Sequence, residues 1–305
     1  MRLNGSNRTT TFFSSTQLNA AVTGGDIANP GDLSITVVNP SPGGGTSNGT
    51  MLKVAPKVAV ASAASFDTTQ VAPDSIVAGF GTGMATGVQL ASSLPLPTNL
   101  LGTTVKVTDS AGTTRDAALF LVSPTQVNFH VPAGTVDGLA TVIMAINNKI
   151  VGAGPMNVTR VAPGLISANS DGIGVPAGFA VRAAANGSQK FEAIARFDQG
   201  QNKYAPVPMD LRSTGDSVFV ILYGVGIRNA LNTDGNLNNG SAENVTVMVG
   251  GVSVPTPYAG KAPGFVGLDQ INVGPMPRNL IGRGAVTVII YVEGKMTNAL
   301  QLSFL

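Results

Sequence analysis

A single histidine is the first residue in this 305-residue chain that could do acid–base chemistry. His130 lies in the run Val127-Asn128-Phe129-His130-Val131, in which apolar and polar residues alternate. Alternation is typical of a strand with one buried face, and it places Asn128 and His130 together on the opposite face. His130 is therefore a candidate general base or metal ligand. The alternation favours a structural interpretation, in which His130 is a half-exposed strand residue.

A serine and an aspartate are the second candidate pair. Gly215-Asp216-Ser217 resembles the nucleophile block of GDSL-type esterases, in which the serine follows a strand and an Asp-x-x-His element lies downstream. The resemblance implies that Ser217 is a nucleophile and that Asp216 belongs to its site. Here Ser217 opens a predicted strand, and no histidine follows it in the sequence. Asp74-Ser75 repeats the pattern earlier in the chain without the glycine, so a turn before a strand accounts for both copies.

A polar loop at residues 232–243 predicts a calcium site. It begins like an EF-hand loop, with side-chain oxygens at loop positions one, three, five and seven and a carboxylate at position twelve. Its glycine stands at the fourth place rather than the sixth, and its flanks are predicted strands, so a plain Asn- and Gly-rich turn is the alternative. Calcium with an open coordination position would activate water or polarise a carbonyl. The predicted ligands are Asn232, Asp234, Asn236, Asn238 and Glu243.

The composition predicts an all-β chain with a packed core. Hydrophobic residues make up 43% of the sequence and charged residues only 11%, with 38 Gly and 19 Pro. The sequence lacks the periodic Glu, Lys, Leu and Ala runs that long helices need. Short alternating segments such as Val245-Thr246-Val247-Met248-Val249, followed by the turn pair Gly250-Gly251, predict hairpins.

Charge and cysteine content exclude several classes of function. The 18 Lys and Arg residues are scattered and leave a net charge of +2, so no nucleic-acid partner is predicted. The absence of cysteine excludes disulfides, thiolate zinc sites and cysteine nucleophiles. No apolar run approaches the roughly 18 residues of a membrane span. The residues after Met1 lack the apolar stretch of a signal peptide, so we expect either that an export signal was lost or that the chain begins inside a larger gene.

Three landmarks occur twice along the chain. They recur at offsets of 143, 144 and 146 residues, and a nearly constant offset indicates duplication of one module. A partial third copy, Thr16-Gln17-Leu18-Asn19, stands near the start without the strands expected before it. The repeated landmarks are Phe80-Gly81 with Tyr223-Gly224, Gln126-Val127-Asn128 with Gln270-Ile271-Asn272, and Lys149 with Lys295.

These landmarks predict tandem immunoglobulin-like modules, each an antiparallel β-sandwich. Short strands separated by turns every 8–12 residues or so are typical of that fold. The predicted organisation is a truncated module at 1–54, a first repeat at 57–164, a connector with short strands at 165–211 and a second repeat at 212–305.

Two stretches resemble known families. Ser123 to Phe129, Val161 to Leu165 and, above all, Ala262 to Val273 resemble the uncharacterised C-terminal domain of acidobacteria of the Solibacter type, over about residues 57–305. The Asn39 to Asn48 stretch resembles the end of an IPT/TIG-type immunoglobulin-like domain. The resemblance implies export and an immunoglobulin-like fold, and it implies no assigned activity.

Two functions from different classes remain open. The favoured one is a non-catalytic exported module of a soil-type bacterium that serves as a spacer, in adhesion or in surface display, with a protein or a surface glycan as partner. The alternative is a secreted, calcium-dependent hydrolase of small esters or lactones, such as acylated lactone signals. A carbohydrate-binding module is a third option, which the absence of Trp and the presence of only four Tyr disfavour.

Overall fold

A computed structural model describes residues 1–231 and 244–305 of the chain. In this described part the only helix is a single 3₁₀ turn, Arg278–Leu280, and every ladder between two named strands is antiparallel. The predicted all-β fold of tandem antiparallel modules is confirmed. The described residues include no helix with the length and apolar character that a membrane crossing requires.

The N-terminal segment, residues 1–54, is a single layer of strands. Its main sheet has the order β2-β1-β5-β8, and two hairpins, β3-β4 and β6-β7, flank it. Leu3 of the main sheet is buried, whereas Phe12 and Phe13 of the β3–β4 hairpin are 71% and 68% exposed, so these two rings belong to no core. The strands are β1 (Arg2–Leu3), β2 (Ser6–Asn7), β3 (Thr10–Ser14), β4 (Gln17–Ala20), β5 (Gly31–Thr36), β6 (Val38–Asn39), β7 (Gly45–Thr46) and β8 (Thr50–Val54).

The first sandwich, residues 57–158, packs two sheets face to face. Their orders are β11-β14-β15-β10-β9 and β13-β12-β16-β17. Alternation turns Val105, Val127 and Phe129 inward, where each is fully buried. The strands are β9 (Ala59–Ser62), β10 (Ile76–Phe80), β11 (Gln89–Leu90), β12 (Thr103–Thr108), β13 (Thr114–Asp116), β14 (Leu119–Val122), β15 (Gln126–His130), β16 (Gly138–Ile146) and β17 (Lys149–Val158).

The second sandwich, residues 164–305, repeats this plan with additions. One sheet has the order β20-β19-β23-β27-β26, with β18 also paired to β23, and the other has the order β25-β24-β28-β29, with β30 paired to β28. The strands are β18 (Gly164–Leu165), β19 (Gly178–Ala184), β20 (Gln189–Ala193), β21 (Ala195–Asp198), β22 (Lys203–Pro206), β23 (Asp216–Val225), β24 (Val245–Val249), β25 (Val252–Val254), β26 (Tyr258–Lys261), β27 (Asp269–Val273), β28 (Gly284–Val292), β29 (Lys295–Met296) and β30 (Leu300–Phe304).

Equivalent strands pair in equivalent registers in the two sandwiches. Phe80 of β10 lies opposite Gln126 of β15, and Tyr223 of β23 lies opposite Gln270 of β27. Phe80, Gln126 and Asn128 of the first sandwich therefore occupy the same places as Tyr223, Gln270 and Asn272 of the second, on the face turned away from the core.

The sequence predicts a connector at residues 165–211, and the structure gives these residues a different role. They supply β19 and β20 to a main sheet and the β21–β22 hairpin beside it. Leu165, Ile194 and Leu211 enter the core of the second sandwich. These residues lie within the second sandwich because their apolar side chains complete its core, although their short strands carry many half-exposed residues.

The core of the first sandwich supplies a stability prediction. Phe129 is a large, fully buried side chain, so Phe129→Ala removes apolar contacts and leaves a cavity. We expect a loss of about 3–5 kcal/mol in the free energy of unfolding, measured by guanidinium denaturation. Phe13→Ala is the matched control, because Phe13 is exposed. Equal losses for the two variants would contradict the assigned core.

Candidate functional sites: the junction and the Arg182 cleft

His130 lies where the two sandwiches meet. It ends β15, its side chain is 15% exposed, and its Nε2 lies 3.4 Å from Oδ1 of Asp74. Gly267 of the second sandwich approaches it closely, with a φ of +72°. A Cβ at Gly267 would come within 2.6 Å of Ile76 and 3.2 Å of His130, so only glycine fits this approach. His130 is therefore enclosed by both sandwiches.

The electrostatic surroundings of His130 favour its neutral form. Burial lowers the pKa of His130, the cations Arg228 and Lys261 of the second sandwich lower it further, and Asp74 opposes them. A protonated imidazole here would be a third positive charge near two others. His130 is consequently an uncharged contact residue at neutral pH.

Charged side chains connect the two sandwiches beside His130. Arg160 donates two hydrogen bonds to the carboxylate of Glu293, at 2.9 and 2.6 Å. Lys295 donates from Nζ to Gln70, to Thr159 and to the carbonyl of Val161, at 2.8, 3.0 and 2.7 Å. We call the contact surface formed by these six residues, together with Asp74, His130, Asn229 and Gly267, the junction.

A buried ion pair holds the loop that reaches the junction. Asp269 has no exposed side-chain surface, and its Oδ1 accepts a hydrogen bond from Nε of Arg228 at 2.6 Å. Its Oδ2 accepts the backbone N–H of Ile227 at 2.7 Å. Burial raises the pKa of Asp269, and Arg228 opposes that rise. The fixed loop then presents Asn229, whose side-chain amide donates to the carbonyl of Pro73 at 2.8 Å.

Asp216 and Ser217 lie in a cleft at the other end of the second sandwich. The cleft has a volume of about 430 Å³, and Arg182, Asp216, Ser217, Pro255, Pro275 and Arg278 are among the residues that line it. The guanidinium of Arg182 donates to Glu192 at 3.0 Å, to Asp216 at 3.1 Å and to the carbonyl of Asp210 at 2.8 Å. We call this the Arg182 cleft.

The side-chain network of the Arg182 cleft keeps its carboxylates ionised. The Ser213 hydroxyl lowers the pKa of Asp216, and Arg182 lowers it further. Arg182 likewise lowers the pKa of Glu192. Asp216 is thereby an ion-pair partner that ties the start of β23 to β19, which is a structural task.

The structure does not bring His130 and Ser217 together. Ser217 lies near the start of β23, whereas His130 faces the loops that follow the end of that strand. The intervening strand is on the order of 25 Å long. A serine nucleophile needs its base within hydrogen-bonding distance, so these residues do not form one catalytic site.

The predicted calcium ligands Asn232, Asp234, Asn236, Asn238 and Glu243 lie outside the described residues. Within the described ranges, no group of three or more His, Cys, Asp and Glu side chains is arranged to hold a metal ion. The calcium site therefore stays a prediction.

Sequence reasoning missed the two ion-pair networks. Asp269 stands in a repeated landmark whose first copy has Thr125 at that place, and a charge in an otherwise buried strand was the available signal. Arg182 gave no such signal, because its partner Asp216 is 34 residues away in the chain.

Comparisons with known proteins identify no family. No family model and no curated protein matches the chain. Among solved structures, SGBP-B of the Bacteroides ovatus mixed-linkage glucan utilization locus, in complex with a mixed-linkage heptasaccharide, aligns with 100% of this chain at 11% identity and a TM-score of 0.32. The chain spans 59% of the length of SGBP-B.

Two further structures align more loosely. Domains 4–9 of the surface layer protein SbsC align with 90% of this chain, and with 35% of that one, at 15% identity and a TM-score of 0.23. A DUF4784 family protein from Bacteroides caccae aligns over 77% of this chain and 68% of that one, at 13% identity and a TM-score of 0.20. Similarity at these TM-scores assigns no function to the chain.

Acidification provides a test of the His130 environment. Because burial lowers the pKa of His130, the unfolded chain takes up the proton at a higher pH than the folded one. The contribution of His130 to stability is complete above about pH 6.5 and is lost as the pH falls below that value. We expect the free energy of unfolding to fall more steeply between about pH 7 and pH 5 in the wild type than in His130→Gln, by at most about 1.4 kcal/mol per pH unit. Parallel pH profiles from urea denaturation would contradict this assignment.

The buried ion pair provides a second test. Asp269→Asn leaves the Arg228 guanidinium without its buried counter-charge, and we expect a loss of about 3–5 kcal/mol in the free energy of unfolding. Asp116→Asn is the control, because Asp116 and its partner Lys106 are both more than half exposed. Chemical denaturation measures both variants. A loss for Asp269→Asn no larger than that for Asp116→Asn would show that the pair does not hold the loop.

Proposed function

We propose that this chain is a non-catalytic module pair of an exported protein, which holds two sandwiches at a fixed distance and orientation for spacing, adhesion or surface display. The observation that carries the proposal is the junction, in which Lys295 and Glu293 of the second sandwich are hydrogen-bonded to Gln70 of the first sandwich and to the link between the two. A flexible tether between domains would need none of these bonds.

Lys295 is the contact that best supports a rigid junction. One of its three acceptors, Gln70, lies in the loop before β10, and the other two, Thr159 and Val161, lie in the link after β17, so Lys295 joins the second sandwich both to the first one and to the link. Burial lowers the pKa of Lys295, because partial desolvation of an ammonium group is unfavourable. The partly buried ammonium group of Lys295 is therefore stable only while the two sandwiches keep its acceptors within hydrogen-bonding distance.

The remaining features fit a spacer better than an enzyme. The candidate serine and histidine lie far apart, and the Arg182 cleft is occupied by salt bridges between its own residues. The resemblance to exported domains supports a location outside the cell or on its surface. Under this proposal esters and lactones are not substrates of the chain, and its binding partners are proteins or glycans.

Scattering measurements test the rigid junction. We expect small-angle X-ray scattering of the wild type to fit one rigid body for residues 57–305. In the double variant Glu293→Gln, Lys295→Met, the bonds to Arg160, Gln70, Thr159 and Val161 are lost or weakened, and we expect a larger radius of gyration and a broader distance distribution. Lys190→Met is the control, because Lys190 is 75% exposed and lies away from the junction. A wild type that already scatters as two independent bodies would refute the proposal.

An activity screen tests the alternative function. Purified protein is offered short- and long-acyl esters and lactones, with calcium or with a chelator. The proposal expects no turnover above background under either condition. Calcium-dependent turnover that is lost in Asp234→Ala and Glu243→Ala would replace the proposal with the hydrolase.

A further inference from the structure

The larger sheet of the second sandwich carries a row of aromatic rings on its outer face. Phe191 of β20, Phe179 of β19 and Tyr223 of β23 follow one another across three adjacent strands, with ring centroids 5.6 and 6.5 Å apart. We call these three residues the aromatic row. Phe191 is 67% exposed, so the sandwich core does not account for this ring.

Two amide side chains continue the row onto the next strand. Gln270 of β27 lies opposite Tyr223, and its Nε2 donates to Oδ1 of Asn272 at 2.8 Å. A carboxamide has two N–H donors and an acceptor oxygen, so this single bond leaves both amides with capacity for a ligand. Both side chains are half-buried, which restricts their motion on the sheet.

The face that carries the aromatic row is free of formal charge. Alternation places no Asp, Glu, Lys or Arg on the outer side of β20, β19, β23 and β27, all of which the structure describes. Arg182 and Glu192 belong to the opposite side of these strands, where they pair with each other. A charged partner would therefore find no complementary charge here, whereas a neutral, hydroxyl-rich partner finds rings and amides.

We propose that the aromatic row binds a single chain of a neutral polysaccharide. The apolar C–H faces of sugar rings would pack against Phe191, Phe179 and Tyr223, and sugar hydroxyls would bond to the amides of Gln270 and Asn272. Adjacent rings are tilted by 55° and 53°, so the row is stepped rather than flat. A stepped row fits one twisted soluble chain and not the flat surface of a crystalline polymer. The inference rests on the proposed function and names the partner of the displayed module.

Comparison of the two sandwiches locates the feature in the second one. The first sandwich has the same outer pair, Gln126 donating to Asn128 at 2.8 Å, beside Phe80. Its β9 lies beside β10 as β19 lies beside β23, but β9 carries Ala59 opposite Phe80 and ends the sheet on that side, and the Phe80 ring contacts Phe66. The rings that extend the row thus come from β19 and from the added strand β20 of the second sandwich.

Affinity electrophoresis provides the test. The full chain is run in native gels that contain β-glucan, xyloglucan, galactomannan or dextran, and in a gel with anionic polygalacturonate. We expect retardation by at least one neutral polymer and little effect of salt. Phe191→Ala should weaken binding at least about tenfold, and Gln270→Ala should weaken it too. Phe13→Ala is the matched control, because Phe13 is 68% exposed on the N-terminal segment and should leave binding unchanged.

The outcomes separate this inference from the proposed function. If no neutral polymer retards the chain, the inference is wrong, and a protein becomes the partner to seek for the aromatic row. Equal weakening by Phe191→Ala and Phe13→Ala, or binding to polygalacturonate alone, would also overturn it. A single rigid scattering body would leave the spacer function standing in each of these cases, whereas two independent bodies would refute the spacer function whatever the gels show.

Discussion

A carboxylate without solvent exposure, Asp269, controls how the two sandwiches meet. Its pairing with Arg228 and with the N–H of Ile227 fixes the loop after β23. That loop carries Asn229 to the backbone of Pro73, while Gly267, just before β27, lies against Ile76 and His130. A buried charge tolerates little displacement from its partner, so the pair imposes a single geometry on the loops around it.

The two sandwiches show how one plan can diverge toward different tasks. The strands that carry the Gln-x-Asn landmark keep the same partner and the same amide hydrogen bond in both copies. The first copy uses its His130 end to contact its neighbour, where the second has the Arg182 cleft. In the second copy β19 takes the place that β9 has in the first, and β20 is added beyond it, so this sheet carries additional rings on its outer face.

Strand alternation and repeat spacing predicted much of the fold, because both depend on local periodicity. Val127 and Phe129 face inward, as their pattern indicated, whereas the His130 side chain, expected to be half-exposed, is only 15% exposed because the second sandwich covers it. The role of residues 165–211 was not predictable in this way, since Phe179 and Arg182 gain their roles from Tyr223 and Asp216 far along the chain. The separation of Ser217 from His130 likewise depends on the direction of β23, which local patterns do not give.

The link between the sandwiches has a mechanical consequence. The link, residues 159–163, is only five residues long. Thr159 and Val161 accept hydrogen bonds from Lys295, and the N–H of Ala162 donates to the carbonyl of Gly226 at 3.0 Å. Because these hydrogen bonds hold the link along its length, a tensile load along the chain must rupture them before the link can extend.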